Sequence, residues 1–82
     1  MSTSTDTIEI IAFGVAARII GAPRITWPYI GDIDELRWAL IRRYPELRNV
    51  PFVLAVNKDI RPEDQHIPPG STIAVMPPYS GG

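Results

Sequence analysis

Asp32-Ile33-Asp34-Glu35-Leu36-Arg37-Trp38-Ala39-Leu40-Ile41-Arg42-Arg43-Tyr44-Pro45 is the one stretch of this chain with a strong helical pattern. Ile33, Leu36, Leu40 and Tyr44 recur at spacings of three, four and four, which is one face of a 3.6-residue period. Asp32 and Glu35 have the D-x-x-E spacing of a capping box, where side chains satisfy orphan backbone N–H groups. Arg42 and Arg43 suit the negative C-terminal end, and Pro45 stops the helix. Trp38 falls off the apolar stripe and is expected at an edge or in solvent.

Working outward, the flanks read as strands. Ile8 to Phe13 is rich in β-branched residues and partly apolar on both faces, as suits a central strand or one with a face that docks a partner. Arg24-Ile25-Thr26-Trp27 alternates, and Pro28 marks an edge strand or its end. Pro51 to Asn57 is a third strand, with a turn at Lys58-Asp59. Ile60 to Gly70 is proline-rich and reads as irregular, and Ser71 to Met76 is the last strand. Between the first two strands, Gly14, Gly21 and Pro23 punctuate a connection with room for one helical turn at Ala16–Ile20. One amphipathic helix on one mixed sheet is a two-layer α+β domain. Residues 1–7 read as a mobile leader, 8–76 as the domain and 77–82 as an extended tail.

Composition narrows the function. The 82 residues suffice for one small domain. A domain of that size buries only ~60–65% of its unfolded surface, so a deep catalytic cavity is not expected. The net charge is −1 with no basic cluster, which argues against nucleic-acid binding through phosphates. There is no cysteine, hence no disulfide, thiolate zinc site or cysteine nucleophile, and any reactive sulfur must come from another molecule. No apolar run reaches the ~18–20 residues of a membrane span, so the default location is cytoplasmic. His66, the one histidine, sits in the proline-rich segment as a solvated loop residue. Asp32, Asp34 and Glu35 are explained by helix capping, and no metal site is expected.

The ending carries the chemistry. Pro77-Pro78 favour an extended path directly after an apolar strand, followed by Tyr79-Ser80-Gly81-Gly82. At about 3.1–3.4 Å per residue the six residues reach on the order of 20 Å. Gly-Gly has no Cβ and can enter a narrow channel. The terminal carboxylate is a poor electrophile until activated. Upstream, Ile11, Phe13, Ala74 and Met76 fall on the sheet face away from the helix, and a contiguous patch there would suit a protein partner.

Phe13-Gly14 with Gly21, Asp32 to Arg37, Ala55-Val56-Asn57, and Gly70 with Ile73 to Pro78 and Gly81-Gly82 together resemble the MoaD/ThiS family of sulfur carriers. The resemblance spans Ile8 to Gly82 and implies a ubiquitin-like β-grasp fold. The Pro-Pro-x-x-Gly-Gly ending is its most specific part and points to the molybdopterin synthase type rather than the thiamine type. Ala17-Arg18, Met76 and Tyr79-Ser80 depart from the family pattern. The resemblance implies that an E1-like enzyme adenylates Gly82 with ATP and that a sulfur donor makes it a thiocarboxylate. The tail would then enter the large subunit of molybdopterin synthase and pass sulfur to a pterin precursor. Gly82 is the reacting residue, Gly81 permits passage, Pro77-Pro78 stiffen the approach with Tyr79 and Ser80 between, and Phe13, Ile60 and Met76 dock the partner. No cofactor is implied on the chain itself, which acts as a carrier and not as an enzyme alone. The other classes are a carrier for thiamine or tRNA thiolation, a ubiquitin-like modifier, and a non-covalent interaction module.

Overall fold

The computed structural model describes residues 6–60 and 64–78. Four strands form one mixed sheet: β1 (Thr7–Ala12), β2 (Arg24–Pro28), β3 (Val53–Val56) and β4 (Thr72–Met76). Their spatial order is β2-β1-β4-β3. β1 pairs antiparallel with β2 and parallel with β4, and β3 pairs antiparallel with β4. β1 is central, one of the two positions its partly apolar faces allowed, and β2 with its Pro28 is an edge.

The main helix, α2 (Ile33–Arg43), follows the expected pattern closely. Asp32 is extended, and its Oδ2 accepts from the Glu35 amide at 3.0 Å. The Ile33 amide finds a tertiary partner, donating to the Gln65 carbonyl at 2.9 Å. Two first-turn donors are thus satisfied by different means. Ile33, Leu36 and Leu40 are buried against Ile8, Ile10, Leu54, Ile73 and Val75 of the sheet. Tyr44 is the C-cap, half-buried at the core margin, and Trp38 is 59% exposed.

Three features depart from the sequence reading. The connection after β1 is a seven-residue helix, α1 (Gly14–Ile20), rather than one turn. It ends where Gly21 takes φ 89 and donates to the Ala17 carbonyl, a left-handed C-cap. Second, β1 begins at Thr7, inside the expected leader, and the Asp6 carbonyl accepts from Tyr29 at 3.1 Å. Third, two segments outside the expected helix and strands feed the core. A 3-10 turn (Pro45–Asn49) buries Leu47, and the proline-rich segment buries Ile67 completely. Ile67 is held through the backbone: its amide donates to Gly31 at 2.9 Å and its carbonyl accepts from the Tyr29 hydroxyl. A lone apolar residue among prolines has no period, so the pattern could not reveal its burial.

Asp32→Ala is expected to lower stability by about 1 kcal/mol through loss of the cap. Ile67→Ala is expected to cost about 2–5 kcal/mol as a core cavity, despite its position in a loop. Urea unfolding with unchanged slope checks both, and an Ile67→Ala midpoint equal to wild type would show that the segment does not hold the core.

Candidate functional site

The exit of β4 places the residues of interest. β4 runs parallel beside β1, so its end lies next to the β1–α1 turn. The Phe13 amide donates to the Val75 carbonyl at 3.1 Å, continuing the ladder by one step. Gly14 then takes φ 59, which an ordinary residue adopts at a cost, and the chain turns sharply into α1. The result leaves Phe13 half-exposed, at 50%, beside half-buried Met76.

A groove of about 390 Å³ opens at this end of the sheet. Its walls include Phe13, Val15, Val50, Phe52, Met76 and Pro77. The tail therefore leaves β4 through the margin of an apolar groove. Phe52 is fixed from the helix: the Arg37 guanidinium donates to its carbonyl at 3.1 Å and lies 5.1 Å from its ring centroid. Val15, at 48% exposure, and Val50 were not singled out in the sequence. A helix of seven residues shows too little period to mark its exposed apolar side.

The outer sheet face is polar on its β2 side, where Glu9 lies 3.9 Å from Arg24, itself opposite Ile11, and accepts from the Thr26 hydroxyl at 3.4 Å. Across β1, β4 and β3 it is apolar: Ile11 sits opposite Ala74, Ala74 opposite Ala55, and Met76 opposite Val53. The structure brings Phe13 and Met76 together with Pro77. Ile60 does not line that groove. It is 53% exposed and lines a separate hollow of about 250 Å³ with Arg37, Val53 and Gln65. Pro78 is exposed, whereas Tyr79, Ser80, Gly81 and Gly82 lie outside the described residues. His66 is exposed, and its backbone bridges Asp32 beside the helix start. Among the described residues no group of three His, Asp or Glu side chains is placed to hold a metal ion. No described helix is long and apolar enough to cross a membrane.

The model of the ThiS family matches residues 10–82, from within β1 through the last glycine. The chain belongs to the ThiS family. Relatives agree along most of the length. The molybdopterin synthase sulfur carrier subunit of Caenorhabditis elegans is 33% identical over 86 residues, covering 93% of this chain and 98% of its own. Its Caenorhabditis briggsae counterpart is 33% identical over 82 residues with the same coverage. Among solved structures, molybdopterin converting factor subunit 1 of Pyrococcus furiosus superposes with a TM-score of 0.80 at 14% identity. That match covers 92% of this chain and all of the other. Small archaeal modifier protein 1 of Methanosarcina acetivorans gives 0.73 at 16% identity, covering 98% and 100%. The likeness fits this ThiS-family chain to the ubiquitin-like β-grasp fold, with α2 across a mixed sheet.

The site residues differ in what they owe to folding. Phe13→Asp is expected to change stability by no more than about 0.5 kcal/mol, because the ring is half in water and borders no sealed core. Phe52→Ala, at 8% exposure, is expected to cost about 3–5 kcal/mol. Thermal and urea unfolding of the two variants would separate them, and a large loss in Phe13→Asp would make its ring a structural element.

Proposed function

We propose that this chain is the sulfur-carrying small subunit of a molybdopterin synthase and that it works through the carboxylate of Gly82. The Gly82 carboxylate attacks ATP on an E1-like adenylating enzyme, forming an acyl-adenylate and releasing pyrophosphate. A sulfur donor displaces AMP and leaves a terminal thiocarboxylate. The tail then enters the large synthase subunit and gives its sulfur to the pterin precursor. The chain itself supplies no catalytic group; the chemistry on the carboxylate belongs to its partners. All of this takes place in the cytoplasm.

The observation that carries the reading is the joining of two features at one end of the molecule. β4 runs out through Pro77-Pro78 at the margin of the Phe13–Met76 groove, and the sequence beyond carries Gly81-Gly82. A partner that covers the groove receives the tail by the same approach. Relatives that share a third of the sequence carry the name of molybdopterin synthase sulfur carrier subunit, which supports this pathway over thiamine or tRNA thiolation. Phe13 and Met76 supply apolar docking area, and Ile60 extends the contact along the β3 side of the sheet.

Incubation with ATP, the activating enzyme and a sulfur source is expected to add the mass of one sulfur-for-oxygen exchange. Deletion of Gly82 is expected to abolish that gain and all sulfur transfer, with the unfolding midpoint unchanged. Full transfer by the truncated chain would sink the proposal. Phe13→Asp is expected to weaken binding to the large subunit on the order of tenfold or more, as loss of an aromatic anchor does. An unchanged affinity in a calorimetric titration would remove the groove from the docking surface.

A further inference from the structure

Helix α2 buries one side against the sheet and leaves the other in solvent. At about 100° per residue, Trp38 lies roughly 160° from both Leu36 and Leu40, so it stands on the side turned away from the sheet. It is 59% exposed and borders neither the groove beside Phe13 nor the hollow that holds Ile60. Asp34 lies four residues before it and Arg42 four residues after it, and both are exposed. By the same rotation the two charges fall about 40° to either side of Trp38. Arg37 and Arg43 are each held over an aromatic ring, Phe52 and Tyr44. Among the described residues, Asp34 and Arg42 have no ion-pair partner. Compensation of the helix dipole explains an acid in the first turn and a base in the last. It does not explain an indole in solvent between them, a residue type enriched among interface anchors.

We propose that this face binds a second copy of the chain, α2 against α2, antiparallel about a two-fold axis at Trp38. Two-fold symmetry brings residue i of one copy to residue j of the other, and j to i. With the axis at Trp38, Asp34 of each copy meets Arg42 of the other. The two indoles meet at the centre, flanked by half-buried Ile41 of each copy, at the about 8–10 Å spacing of packed helices. An antiparallel pair also sets each acidic helix start beside the other copy's arginine end, which the dipoles favour. A parallel pair would set Asp34 on Asp34 and Arg42 on Arg42. The sheet edges offer a second copy less. β2 ends on Pro28, which has no N–H to give an added strand. On β3, the Val56 amide and carbonyl are both taken by Asp59. Eleven residues of helix span only about 16 Å, so the contact buries less than the ~1,200–2,000 Å² of a stable interface. The dimer is therefore weak and reversible, with a dissociation constant on the order of 0.1 mM. No wall of the groove beside Phe13 and Met76 belongs to α2, so both copies keep it open. None of this depends on the chemistry of Gly82.

The test is sedimentation velocity of the full chain from about 10 μM to about 1 mM, a range that brackets such an affinity. A dimer fraction rising with concentration is expected. Trp38→Ala is expected to weaken the dimer about 30-fold with the unfolding midpoint unchanged. Asp34→Arg and Arg42→Asp, each alone, are expected to weaken it about tenfold, because each sets like charges opposite one another. In a mixture of those two variants both cross-pairs are again opposite in charge, so a heterodimer is expected, and it is lost when both chains also carry Trp38→Ala. A wild-type chain that stays monomeric over the whole range would overturn the proposal. So would a dimer unaffected by Trp38→Ala, or a mixture of the charge variants that associates no better than either alone.

Discussion

The parallel pairing of β1 with β4 is the constraint on which the rest depends. Ile10 sits beside Ile73 and Ala12 beside Val75, all buried, in the middle of the sheet. This pairing joins the first strand to the last, so loop closure over most of the chain must be offset by the apolar area it buries. The same faces receive Leu36 and Leu40 from α2. With β1 and β4 in place, β2 and β3 add as edges, and the helix covers what the sheet leaves open.

That constraint also creates the candidate site. A parallel neighbour brings the end of β4 to the end of β1, and Phe13 continues the ladder to Val75 before Gly14 turns the chain away. The last ladder step therefore sits beside the start of the tail. A groove forms there because α1 and the segment from Asn49 to Phe52 wall it on either side. Arg37 reaches from the helix to hold Phe52, so the groove's floor is coupled to the core rather than to a loose loop. A rigid margin limits the conformational cost of docking a partner.

The outer face of the sheet differs from edge to edge. Apolar residues lie across β1, β4 and β3, whereas the Glu9, Arg24 and Thr26 group on the β2 side is solvated. The turn carrying Lys58 lies beyond β3, away from the tail exit.

Local patterns determined much of this by themselves. The stripe Ile33, Leu36, Leu40 and the Asp32 cap set α2, because helix period and capping are properties of neighbouring residues. Alternation separated Ile8, Ile10 and Ala12 from Ile11 and Phe13, and double-sided apolarity marked β1 as central. Pro77-Pro78 and Gly81-Gly82 set the tail apart from the domain in sequence alone, because proline fixes φ and glycine lacks a Cβ. Only the tertiary structure decided the burial of Ile67 and Leu47, the extent of α1 and the walls of the groove. It also set Ile60 in a different hollow from Phe13 and Met76. These depend on contacts between segments far apart in the chain, and no short-range period records which distant surface a lone apolar side chain will meet.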